Sequence, residues 1–243
     1  MNNKDGKLEG VPGYGEPVFK VVEQFLSING EGRRAGQLAL FVRFAGCNLN
    51  CEYCDTRWAN ERDASYDTYT CDLLYEMITG AGINNITLTG GEPLLQPGIG
   101  ILLDHLRTER RLNIEIETNG SIDIEPFFTK REDFISDNVT FTLDYKTGAS
   151  GMESRMCMHN YELVRDIDTV KFVVGSVGDI ETAVDVIKKY RLKEKGCGIF
   201  ISPCFGKIEP REIVEYMVKN RINDVNVQLQ LHKYIWDPDR RGV

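Results

Sequence analysis

Residues 38–56 read Leu38-Ala39-Leu40-Phe41-Val42-Arg43-Phe44-Ala45-Gly46-Cys47-Asn48-Leu49-Asn50-Cys51-Glu52-Tyr53-Cys54-Asp55-Thr56. The opening apolar run is the pattern of a strand buried on both faces. A loop with three cysteines follows at once, spaced C-x3-C-x2-C. Thiolates are soft ligands that suit iron–sulfur clusters and zinc. A structural zinc site takes four protein ligands, commonly as two close pairs. No second pair exists, because Cys71, Cys157, Cys197 and Cys204 are isolated. Three close thiols favour a 4Fe–4S cluster with one iron left open, and zinc is the alternative.

Around this stretch, strand and helix patterns alternate. Strands are predicted over 18–25, Leu38–Phe44, 86–89, 112–118, 139–143, 170–174 and 199–202, with 225–231 a last candidate. Helices are predicted over 72–79, with Thr70 as N-cap, and over 98–110. Ile180, Ala183, Val184, Ile187 and Tyr190 recur at helical spacing, and Glu209-Pro210 opens another helix. Such alternation predicts parallel βαβ units, as an open sheet or a full or partial (β/α) barrel. In either, function gathers at the C-terminal ends of the strands. The chain reads as a single domain over 1–243, with a Gly/Pro-rich, flexible lead-in before residue 18. Gly13-Tyr14-Gly15 lacks the strand–turn–helix context of a nucleotide fingerprint.

Composition narrows the field. A net charge of −8 is not the footprint of a general nucleic-acid binder. No run approaches the roughly 18 apolar residues of a membrane span. The polar start, Met1-Asn2-Asn3-Lys4, is not a secretory signal, and seven cysteines is an odd number. Together these predict a reducing, cytoplasmic setting rather than a disulfide framework. Without a signal, the sequons at Asn85 and Asn138 read as chance.

The cysteine loop, with Tyr53 before its third cysteine, resembles the radical S-adenosylmethionine (SAM) superfamily. There the open iron chelates SAM, and an electron from the cluster releases a 5′-deoxyadenosyl radical that abstracts hydrogen. Thr89-Gly90-Gly91-Glu92-Pro93 resembles the superfamily's GGEP segment, which contacts the SAM amino group. Ser27-Ile28-Asn29-Gly30-Glu31-Gly32, Glu117-Thr118-Asn119-Gly120, Asp144-Tyr145-Lys146 and the tail from Gln230 to Val243 extend the likeness. With these the chain is similar to the 7-carboxy-7-deazaguanine synthase family over residues 23–243, with Asn29 in place of the usual glutamine. The resemblance implies a partial barrel of about six parallel strands with helices outside. It also implies a homodimer, Mg2+, and a reductase or flavodoxin-type electron donor. The implied reaction converts 6-carboxy-5,6,7,8-tetrahydropterin to 7-carboxy-7-deazaguanine and ammonia, with SAM regenerated.

Residue roles follow from the same resemblance. Cys47, Cys51 and Cys54 would hold the cluster. Tyr53, Gly90, Gly91, Glu92, Asp144, Tyr145 and Lys146 would meet SAM, and Ser202, Pro203, Cys204 and Phe205 would line its adenine pocket. Ile28, Asn29, Gly30 and Thr89 would hold the pterin, Arg43 would pair its carboxylate, and Val243 would reach it through the terminal carboxylate. Thr56 would bind Mg2+, and Glu117 would bond the pterin or move a proton. The tail, 232–243, would pack near the site. Plainer readings stand beside these: a structural ion pair for Arg43, a backbone-bonded hydroxyl for Thr56, an exposed carboxylate for Glu117 and simple core for Cys204. Two other functions share the motif: an activase of a glycyl-radical enzyme, which needs no pterin, and a non-catalytic metal module, which would hold zinc without sulfide.

Overall fold

A computed structural model describes residues 17–129, 137–238 and 240–243. The lead-in expected before residue 18 lies outside the described residues, apart from Pro17.

The strands are β1 (Val18–Ile28), β2 (Leu38–Phe44), β3 (Asp67–Thr70), β4 (Asn85–Gly90), β5 (Asn113–Thr118), β6 (Val139–Lys146), β7 (Thr169–Val174), β8 (Gly198–Pro203) and β9 (Asn226–Val227). They form one sheet in the order β3-β1-β2-β4-β5-β6-β7-β8-β9. From β2 onward every pairing is parallel. β1 departs from the expected parallel pattern: it pairs antiparallel with both β2 and β3. The expected strand over 225–231 shrinks to β9, because the backbone leaves β8 after Gln228 and Leu231 N donates to Gly30 O instead.

The helices are α1 (Cys71–Gly80), α2 (Ile99–Leu106), α3 (His159–Leu163), α4 (Val177–Lys189), α5 (Pro210–Asn220) and α6 (His232–Ile235). Local chemistry sets their ends. Thr70 accepts from Leu73 N at the start of α1, Ser176 does the same for α4, and Glu209 and Glu212 form a capping box on α5. α2 stops short of the expected residue 110. Arg107, 3% exposed, turns inward there to Asp104, Asp137 and the carbonyl of Phe127.

The parallel strands alternate rather than running apolar throughout. Val42, Leu88, Ile116, Leu143, Phe172 and Ile201 are fully buried in one core with Leu74, Leu103 and Ala183 of α1, α2 and α4. Arg43, Thr89, Glu117, Asp144, Lys146 and Lys171 fall on the opposite face by the two-residue period. A sheet with helices on one face and charged groups on the other encloses a polar lumen. The sheet is also rolled. In a flat sheet β1 and β9 would lie roughly 33 Å apart at about 4.8 Å per strand. Instead Gly32 N, in the loop after β1, donates to Gln228 Oε1 at 2.8 Å, and Gln228 Nε2 returns a bond to Gly32 O at 3.0 Å. Arg33 of the same loop donates to the carbonyls of Asp168 and Gly196, at the starts of β7 and β8. The loop thus floors a partial barrel. No helix among the described residues is long and apolar enough to cross a membrane.

Candidate active site

Cys47, Cys51 and Cys54 sit in the loop above the end of β2, and all are free thiols. Burial pushes the Cys47 and Cys51 thiols up, and neighbouring thiols add to it. Groups that resist ionisation alone become thiolates readily against a cationic centre. Among the described residues the trio of ligand atoms gathered within 4.8 Å is Asp123, Glu125 and His159, not the thiols. A structural zinc site takes four protein ligands, and this loop offers three. The donor set, three soft thiols on one loop, fits a cluster.

β4 ends directly beneath this loop. Gly91 N donates to Phe44 O at 3.0 Å and Glu92 N to Gly46 O at 2.8 Å. A Cβ on Gly90 would meet Phe44 N at 2.4 Å, and one on Gly91 would meet Gly46 O at 2.0 Å. The glycines are needed for backbone-to-backbone contact with the cysteine loop, whatever ligand also approaches them. Glu92 differs from expectation. It is fully buried, and its oxygens accept from Leu94 N, Thr118 Oγ1 and Asn119 N. Burial raises its pKa to about 7 against those bonds. Its carboxylate therefore ties β4 to the end of β5 rather than facing a ligand ammonium.

A chain of charges runs up the lumen. Glu31 accepts from Ser202 Oγ at 2.9 Å and Lys171 Nζ at 3.2 Å. Lys171 also lies 3.8 Å from Asp144, which pairs Lys146 at 2.8 Å. Burial works against the charges of Glu31 and Lys171, yet each holds the other ionised, so the Glu31 carboxyl stays below and the Lys171 ammonium above its usual range. Lys146 stands 5.8 Å from the Tyr53 ring. Tyr145 is another correction: its ring packs against Tyr161 and Phe172, and its hydroxyl donates to Glu153, all on the helix side of the sheet. Ser202 gives its hydroxyl to Glu31, Cys204 is 4% exposed, and Phe205 is exposed beneath Lys233. Pro203 closes β8 beside them.

Arg43 is in register with Thr89 on the lumen face. It bonds Glu23 through Nε at 2.7 Å, and its terminal nitrogens have no partner among the described residues. Thr56 makes no backbone cap, and Cys54 Sγ at 3.7 Å is its nearest partner. The Glu117 side chain engages no hydrogen bond among the described residues but lies close enough to bias Glu115, Lys171 and His232. Asn29 accepts from Thr87 Oγ1 at 2.9 Å. The tail spans the site from the loop after β1 to the cysteine loop: Leu231 N donates to Gly30 O, the His232 ring lies against Gly30, Lys233 pairs Asp55, and Arg241 stacks on Trp58 at 4.2 Å. Ile28 and Val243 are half-buried, with no polar side-chain partner.

Among the described residues, five buried side-chain atoms lack a hydrogen-bond partner: Ser27 Oγ, Asn29 Nδ2, Tyr53 Oη, Asn60 Oδ1 and Asp144 Oδ1. Buried polar groups are rarely left so, and each needs a reason. All five belong to the lumen face of β1, the cysteine loop and the top of β6. Sequence reasoning missed Thr87, Asn60, Lys171 and the charge of Glu31. Lone charges and hydroxyls inside otherwise apolar strands, such as Lys171 in TVKFVV, were the available signal.

A family profile described as the radical SAM superfamily matches residues 41–137. A 7-carboxy-7-deazaguanine synthase of Clostridium acetobutylicum is 49% identical over 225 residues, covering 93% of this chain and 99% of that protein. One from Chlorobaculum tepidum is 36% identical over 94% of this chain and 99% of its own length. The crystal structure of QueE from Escherichia coli aligns with a TM-score of 0.65 at 23% identity, over 87% of this chain and 93% of that one, and so shares the fold. The chain belongs to the 7-carboxy-7-deazaguanine synthase family of radical SAM proteins.

Proposed function

We propose that this protein converts 6-carboxy-5,6,7,8-tetrahydropterin to 7-carboxy-7-deazaguanine with release of ammonia, in 7-deazapurine (queuosine) biosynthesis. Family membership supports the reaction. The observation that carries it within the molecule is the set of five orphaned polar atoms around one lumen, below three free thiols. They are buried donors and acceptors that a polar ligand would satisfy. When bound, the cluster and SAM supply a radical that takes hydrogen from the substrate and later returns it.

The chain's own residues do the rest. The open fork of Arg43 suits the substrate carboxylate, with Glu23 holding the guanidinium from behind. Asn29 and Ser27 offer polar atoms to the ring edge, and Thr89 and Glu117 face it from β4 and β5. Asp144 Oδ1, Tyr53 and Asn60 stand where a cofactor of many hydroxyl and amino groups would find partners. Thr56, free of a backbone cap, is available to Mg2+, a hard ion that takes oxygen ligands. The tail is pinned at Gly30, Asp55 and Trp58, and in this reading the terminal carboxylate of Val243 contributes to the substrate site.

The same reading includes one domain, a homodimer, a reductase or flavodoxin-type electron donor and a cytoplasmic setting, the last supported by an odd number of cysteines. The test is anaerobic turnover of cluster-reconstituted protein with reductant, SAM, Mg2+ and the carboxytetrahydropterin. Carboxydeazaguanine in excess over SAM consumed is expected. Deoxyadenosine without it would keep the radical chemistry and discard the substrate, and neither product from protein with an intact cluster would leave the activase.

A further inference from the structure

The Glu117-Thr118-Asn119-Gly120 segment contains a side chain that faces the cluster loop rather than the lumen. Asn119 is 7% exposed. Its Nδ2 points to Cys47 Sγ at 3.5 Å and donates to Asn48 Oδ1 at 3.0 Å. The amide cannot be turned round. Ser121 N, which can only donate, lies 2.9 Å from Asn119 Oδ1, and Ser121 Oγ donates to the same oxygen at 2.6 Å. Asn48 Nδ2 closes the ring by donating to Ser121 Oγ at 2.8 Å. From below, Glu92 Oε2 holds Asn119 N at 2.7 Å. The glutamate of the GGEP segment thus fixes the backbone of the residue that touches Cys47.

We propose that Asn119 tunes the reduction potential of the cluster through an N–H···S bond to Cys47, locked in direction by Ser121 and Glu92. The proposal rests on the cysteine loop being a cluster site. Reduction adds one electron, part of whose charge falls on the thiolate sulfurs. A donor aimed at such a sulfur stabilises the reduced form more than the oxidised form, and so raises the potential. Leu49 N, 3.4 Å from the same sulfur, acts in the same sense but is fixed by the loop. Asn119 is the side-chain contribution, and therefore the one a substitution can remove.

The experiment is an anaerobic redox titration of the reconstituted protein without SAM or substrate. Dithionite supplies the electron, and electron paramagnetic resonance reports the reduced cluster. Asn119→Ala is expected to shift the reduction equilibrium on the order of tenfold toward the oxidised form, about 59 mV for a one-electron couple. Asn119→Asp keeps the acceptor for Ser121 N but puts a carboxylate oxygen where the donor stood. Its potential is expected to fall further. A wild-type potential for Asn119→Ala with full iron and sulfide overturns the proposal. Should that variant lose iron, Asn119→Asp decides by the same rule. Loss of iron and sulfide from both makes Asn119 a structural residue and also overturns it. Zinc without sulfide in the wild type would instead sink the cluster reading itself.

Discussion

Arg43 shows how one side chain can satisfy a plain reading and a functional one together. Its Nε is tied to Glu23, yet that bond uses a single edge of a planar fork. A lysine has one point charge and would have to choose between Glu23 and a substrate carboxylate. Arg43→Lys is therefore expected to raise KM for the pterin by about tenfold or more, the size of a lost charge-assisted bond, with a smaller effect on kcat. An unchanged KM in steady-state assays would leave Arg43 as a structural pair. Thr56 is argued similarly, from a hydroxyl with no backbone cap. Thr56→Ala should raise the Mg2+ concentration giving half-maximal rate by about tenfold, one oxygen ligand among several. An identical Mg2+ titration would return it to an idle loop hydroxyl. The thiols, Arg43 and Thr56 could be picked out from spacing and resemblance. The partner of each could not, because a contact such as Arg43–Glu23 depends on antiparallel register between β1 and β2.

At the scale of elements, the end of β4 is the hinge of the site. Its two glycines let the backbone touch the cysteine loop, and Glu92 carries the connection on to β5. Gly91→Ala places a methyl 2.0 Å from Gly46 O and 2.1 Å from Asn60 Oδ1. Backbone must shift, at a cost typical of overpacking, about 1–3 kcal/mol. Lower iron occupancy after reconstitution and a lower Tm of the apo-protein are expected together. A variant with wild-type values of both would show that the loop yields without penalty. The central strands were legible because hydrophobic runs ending in Gly-Gly or Thr-Asn-Gly leave few other choices. β3 and α3 were not: four or five residues carry too little periodicity. The direction of β1 was also hidden, since an apolar run does not state whether its neighbour is parallel. Glu92 was misread for a related reason. Local sequence shows a carboxylate beside glycines, whereas two of its donors, Thr118 Oγ1 and Asn119 N, lie 26 and 27 residues away.

Across the whole molecule, an acidic protein must receive an anionic substrate in a lumen that already holds Glu31, Glu115, Glu117 and Asp144. Lys171, Lys146 and Arg43 balance part of this charge. Glu115 adds less than a full charge near neutrality, because it gives up its proton late. Burial, then repulsion from Glu117, raises its pKa to about 7, with Thr142, Lys171 and Arg34 opposing. The sign of the consequence is fixed by linkage. Below the ordinary value of 4.5 both folded and unfolded chains hold the proton, and the group contributes its full stability. Between 4.5 and about 7 the unfolded chain releases it first, so stability falls as pH rises, levelling above about 7. Glu31 acts oppositely: its lowered pKa contributes stability above 4.5 that is lost as pH falls. Glu115→Gln keeps an oxygen for Thr142 and removes the titration. Urea unfolding of cluster-free protein should show the variant gaining on the wild type as pH rises through this window. The gain should reach at most about 3 kcal/mol, the free-energy equivalent of such a shift. It should stay flat outside the window. A constant difference at all pH values would mean that Glu115 ionises normally, and that the lumen tolerates its charge before substrate arrives.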